Sequence, residues 1–85
     1  MIRISLIEDD ATIREGYAYL IGQSADCTVV STYATAEDAL KRLERDAPDV
    51  ALVDVELPGV SGIDALPKLK KALPDTHFII LTVYE

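Results

Sequence analysis

The sequence predicts an α/β fold, a parallel β-sheet with helices on both faces. Two observations carry this. Four short apolar runs rich in β-branched residues alternate with three segments whose apolar residues recur at helical spacing, giving the order β-α-β-α-β-α-β in 85 residues. Such alternation builds parallel βαβ units with right-handed crossovers. The second observation is how two of the runs end. Ile2 to Ile7 closes on Glu8-Asp9-Asp10, and Val50 to Val53 closes on Asp54, with Pro58 and Gly59 breaking the chain soon after. A continuous apolar run reads as a strand covered on both faces, and the carboxyl end of such a strand is where a parallel sheet presents side chains to ligands.

After the first strand, Ile13, Tyr17, Leu20 and Ile21 give a helix over 11–23, with Asp10 as its N-cap and Glu15 early in it. Ser24 to Asp26 break the chain, and Thr28 to Tyr33 form a β-branched second strand. Thr35-Ala36-Glu37-Asp38 resembles a capping box with Asp in place of Glu at its last position, and Ala36, Ala39, Leu40 and Leu43 carry one apolar face to Asp46. Pro48 ends that helix. The third strand runs to Asp54, Val60-Ser61-Gly62 is a loop, and Ile63, Leu66, Leu69 and Leu73 mark a third helix. Pro67 fits that helix best if Asp64 is the N-cap, because the missing donor then falls in the first turn; the alternative is a kink. Thr76 to Val83 is the fourth strand. Gly59 and Gly62 are expected to serve positive φ or close backbone approach, Cys27 to be a small buried side chain, and His77 to lie on the surface.

Composition bounds the function. The chain carries 15 acidic and 8 basic side chains, a net charge of -7, 49% apolar residues and one cysteine. That is too apolar for disorder, and one domain is the ceiling. No run approaches the roughly 18 apolar residues of a membrane span. There is no leader-like stretch, and a lone cysteine forms no internal disulfide, so a cytoplasmic location is the default expectation. The acidic balance repels phosphate backbones, so these residues are not expected to touch nucleic acid.

If the first and third strands are neighbours, Glu8, Asp9 and Asp54 converge at one edge. Three like charges there persist only with a bound cation or a raised pKa. All-oxygen ligands with an open side suit Mg²⁺, which keeps waters and accepts phosphate oxygens. Asp54 is then placed to attack phosphorus and form an aspartyl phosphate, with the Thr82 hydroxyl, at the exit of the fourth strand, near enough to bond a phosphoryl oxygen.

These features together, the acidic cluster after the first strand, Asp54 followed by Leu57-Pro58-Gly59 and Ser61-Gly62, and Thr82 at the end of the fourth strand, resemble the receiver domain of bacterial two-component response regulators. The resemblance covers all 85 residues. It implies a flavodoxin-like sheet of order 2-1-3-4, with a fifth strand and two more helices not included, and phosphotransfer from a sensor histidine kinase to Asp54. It implies Mg²⁺ held by Asp9, Asp54 and the backbone carbonyl of Glu56, with Glu8 acting directly or through water, and a switch hydroxyl at Thr82. The Glu56 and Tyr84 side chains would tune the loss of phosphate to water, making the domain a phosphoacceptor with at most slow self-dephosphorylation and not an enzyme. The ending Leu81-Thr82-Val83-Tyr84-Glu85 is most similar to regulators with a LuxR-like helix-turn-helix domain, through which DNA would be reached.

One departure from the family pattern matters. The lysine that pairs with the phosphoryl group ends the fifth strand of a receiver, whereas Lys41, Lys68, Lys70 and Lys71 all fall on predicted helices. The fourth strand also becomes an unprotected sheet edge at Phe78 to Leu81, which implies a homodimer or strand-exchanged oligomer. Two rivals stand beside the receiver reading. A phosphatase of the haloacid dehalogenase type also uses an aspartate ending a strand, but its second acid is Glu56 here and its hydroxyl position is Pro58. The other is a receiver-like interaction module that takes no phosphate.

Overall fold

A computed structural model of the chain describes residues 1–81. The elements are β1 (Ile2–Ile7), α1 (Ala11–Gly22), β2 (Cys27–Tyr33), α2 (Ala36–Asp46), β3 (Val50–Asp54), α3 (Gly62–Ala72) and β4 (His77–Leu81). All sheet pairings are parallel, in the order β2-β1-β3-β4. This is the predicted flavodoxin-like order.

Topology places the helices. The chain moves from β1 to β2 in one direction and then back past β1 to β3 and on to β4. Right-handed crossovers therefore put α1 on one face and α2 and α3 together on the other. The second face holds the core. Ile7, Ala51 and Val53 pack with Ala36, Ala39 and Leu43 of α2 and Ala65, Leu69 and Leu73 from α3 and its end. On the α1 face, Leu6 and Ile4 are buried, but α1 itself buries no residue fully. Leu20, expected in its apolar stripe, is 67% exposed, leaving Ile13, Tyr17 and Ile21 half-buried. Cys27 is half-buried rather than fully buried, and His77 is exposed.

Caps fix the ends of the helices. The Asp10 carboxylate accepts from the Ile13 N–H at 3.1 Å and the Thr35 hydroxyl from the Asp38 N–H at 3.1 Å. Asp38 does not complete a reciprocal box; its carboxylate pairs with Arg42, one turn on, at 3.2 Å. Ala47, with φ 43, ends α2 in the left-handed region ahead of Pro48. The end of α2 is tied to the sheet by two contacts: the Arg3 guanidinium donates to the Asp46 carbonyl at 2.7 Å, and the buried Tyr33 hydroxyl donates to the Asp46 carboxylate. Burial and that carboxylate push the Tyr33 phenol above its usual range.

The start of α3 corrects the sequence reading. Ser61, not Asp64, is the N-cap, its hydroxyl accepting from the Asp64 N–H at 3.1 Å, and Pro67 lies inside the helix. The reason is tertiary. Gly62 sits so close to the end of β3 that an added Cβ would lie 2.1 Å from the Asp54 carbonyl oxygen, and its N–H donates to the Val55 carbonyl at 3.1 Å. That contact anchors the helix at Gly62, and the helix tolerates the bond Pro67 cannot donate. The buried stripe is accordingly Gly62, Ala65 and Leu69, while Ile63 is 57% exposed.

Candidate functional site

β1 and β3 are adjacent, with Ile4 level with Val50 and Ile7 level with Val53. One residue beyond, Glu8 and Asp54 leave the same edge. Glu8 is 5% exposed, Asp54 is 8% exposed, and Asp9 is open to solvent. One carboxylate oxygen from each lies within 4.8 Å of the others. Burial, followed by the hydrogen bonds to Asp54 and Asp9, pushes the Glu8 carboxyl from its ordinary 4.5 up to about 7. A buried acid held that far up keeps its proton because its anion has no counterion there. A hard cation bound by these oxygens would supply it, so the donor set fits a divalent metal.

Two loops hold the acids. In the first, the Glu8 carboxylate accepts from the Asp10 N–H at 3.4 Å, and the Arg14 guanidinium reaches back from α1 to the Glu8 carbonyl at 2.8 Å and the Asp9 carbonyl at 3.5 Å. In the second, the Asp54 carboxylate accepts from the Glu56 N–H at 3.2 Å, and the Val55 N–H donates to the Leu81 carbonyl at 3.2 Å. Glu37 of α2 lies against the far end of this loop. Its carboxylate accepts from the Val60 N–H at 3.4 Å, and a Cβ on Gly59, where φ is +75°, would lie 2.8 Å from its Oε2.

The family profile of the response regulator receiver domain matches residues 4–85. The chain belongs to the receiver family. It is 37% identical over 84 residues to a transcriptional regulatory protein of Bacillus subtilis, YxjL, covering 99% of this chain and 38% of that protein. It is 33% identical over 85 residues to the oxygen regulatory protein NreC of Staphylococcus carnosus, covering 99% of this chain and 39% of that protein. A LuxR-family two-component response regulator from Aurantimonas superposes with a TM-score of 0.92 at 30% identity, over 100% of this chain and 61% of that one. The Thermotoga maritima response regulator TrrA, solved with Mg²⁺ and BeF, gives 0.88 at 29% identity, over 100% of this chain and 72% of that one. The receiver spans about two fifths of the length of the curated relatives it matches. Receiver domains are phosphoacceptor signalling domains that work with histidine kinases and hold Mg²⁺ at an acidic pocket. Neither the phosphatase reading nor the phosphate-independent interaction module finds support in this match.

Of the residues singled out in the sequence, the receiver brings Glu8, Asp9 and Asp54 together and ties the Glu56 backbone to Asp54. The Glu56 side chain is exposed. Thr82 and Tyr84 lie outside the described residues, though Leu81, just before Thr82, is level with Asp54. Lys41 is on α2, and Lys68, Lys70 and Lys71 are on α3, all exposed. Sequence reasoning passed over Arg14 and Glu37. The signal for Arg14 was available, a lone cation one turn into the helix that succeeds three acids; that for Glu37 was not, because its partner is 23 residues away. No described helix is long and apolar enough to cross a membrane.

Proposed function

We propose that Asp54 is the phosphoacceptor of this receiver and that Glu8, Asp9, Asp54 and the Glu56 carbonyl hold Mg²⁺ beside it. The observation that carries this is the convergence of three carboxylates at one sheet edge, with Glu8 pushed up to about 7. Bound Mg²⁺ would neutralise the incoming phosphoryl group. A carboxylate oxygen of Asp54 attacks phosphorus, forming a P–O bond as the P–N bond of a kinase phosphohistidine breaks. The acylphosphate is stoichiometric, and water removes it slowly. Thr82, next after β4, supplies the hydroxyl that turns toward the phosphoryl oxygens and carries the change onward. The 85 residues act as one receiver unit through its fourth strand, with the phosphate-pairing lysine on a fifth. The relatives named as transcriptional regulators support transcription as the output, with DNA contacted by another domain and not by this acidic one.

The test is to incubate a chain extended through the lysine-ending fifth strand with Mg²⁺ and a small phosphodonor and to map the added mass. One phosphoryl group on Asp54, absent when Mg²⁺ is chelated and absent in Asp54→Ala, is the expected result. Modification that survives Asp54→Ala overturns the assignment.

A further inference from the structure

We propose that Arg14 is a positioning residue of the acidic site, fixing the carboxylates of Glu8 and Asp9 by holding the carbonyls of both residues from one guanidinium. The proposal rests on the reading of these acids as a Mg²⁺ site and goes on to say what keeps them in place. Glu8 and Asp9 lie beyond the last paired residue of β1, so the sheet does not fix them. The backbone bond from the Glu8 N–H to the Tyr33 carbonyl at 2.9 Å secures only the start of the turn. The rest of the turn is closed from the helix side. Arg14 Nη1 sits 2.8 Å from the Glu8 carbonyl and 3.5 Å from that of Asp9, while the Arg14 N–H donates to the Asp10 carbonyl at 2.9 Å. Backbone and side chain of one residue thus face three consecutive carbonyls. A guanidinium is suited to this because its donors are fixed in a plane and stay charged at any working pH. Arg14 is itself half-buried, which limits how far the fork can move.

The positioning role and simple electrostatics predict opposite signs. A cation next to residues that bind Mg²⁺ repels it, so deleting the charge by itself would tighten Mg²⁺ binding. If instead Arg14 holds the ligands in place, deleting it loosens binding, and groups that orient metal ligands typically contribute roughly 10- to 100-fold in affinity.

The experiment titrates the 85-residue chain and its Arg14→Ala and Arg14→Lys variants with Mg²⁺ at pH 8, monitored by amide chemical shifts, with thermal unfolding measured alongside. The expected result is about tenfold weaker binding in Arg14→Ala, with partial recovery in Arg14→Lys, which keeps the charge and a single donor nitrogen but not the planar fork. Binding that is unchanged or tighter in folded Arg14→Ala overturns the positioning role. If Arg14→Ala does not fold, Arg14→Lys decides: affinity equal to wild type overturns the proposal, and a loss of two-fold or more with unchanged melting supports it. A wild-type chain that shows no saturable Mg²⁺ binding would instead strike at the reading of the acids, a separate failure from equal affinities in wild type and variant.

Discussion

Gly62→Ala is expected to destabilise the receiver by about 3 kcal/mol or more, although alanine is the better helix former. An added Cβ would lie 2.1 Å from the Asp54 carbonyl oxygen and 3.0 Å from Val53 Cγ1. Neither neighbour is free to yield. Val53 is fully buried, and moving the Asp54 backbone disturbs the end of β3 and the pairing with Leu81. Gly16 is the internal control, because a Cβ there meets nothing within 4 Å. Gly16→Ala in α1 should therefore stabilise by about 0.5–1 kcal/mol. Urea unfolding of both variants checks the pair, and a Gly62→Ala chain as stable as wild type would show that α3 does not seat on β3 as described.

Glu8→Gln is expected to make the metal-free receiver more stable than wild type by about 3 kcal/mol at pH 8. The direction of the shift sets the sign. Burial raises the Glu8 carboxyl from 4.5 to about 7 in the folded chain, so between those values the folded state holds a proton the unfolded state has released. Stability is then fully present below about 4.5 and is lost as pH rises through about 7. Glutamine imitates the neutral carboxyl at every pH, which removes this loss. The gap should shrink to about 0.4 kcal/mol near pH 4.5, where the folded form is protonated and the unfolded form half protonated, and should also close in saturating Mg²⁺, which offsets the charge in wild type. Melting curves at pH 4.5 and 8, with and without Mg²⁺, are the measurement; a variant less stable than wild type at pH 8 without metal would mean that Glu8 is stabilised as the anion.

Much of this was legible in the chain because it depends on local periodicity and on strand ends. Alternating runs fixed the element order, Asp10 and Thr35 sat where caps belong, and the acids closing β1 and β3 marked one sheet edge. The misreadings are all tertiary. Asp64 was the better N-cap by local rules because of Pro67, but the contact of Gly62 with the Asp54 carbonyl determines where α3 begins. Leu20 and Ile63 fit their helical stripes by spacing and still face outward, because burial depends on what lies opposite, and spacing does not report that. Glu37 works through the backbone of a loop 23 residues away, which leaves no pattern in residue type, whereas Arg14 was marked by its place as a lone cation one turn into the helix that follows three acids.

The central claim is that the carboxylates of Glu8, Asp9 and Asp54 act as one cation site, and the pH dependence of Mg²⁺ affinity tests it most directly. With Glu8 up at about 7, a proton competes with the metal below that pH, so affinity should weaken about tenfold from pH 8 to pH 6, and Glu8→Gln should flatten the profile. Saturable binding that is independent of pH between 6 and 8, or that persists unchanged in Asp54→Ala, would contradict a shared site.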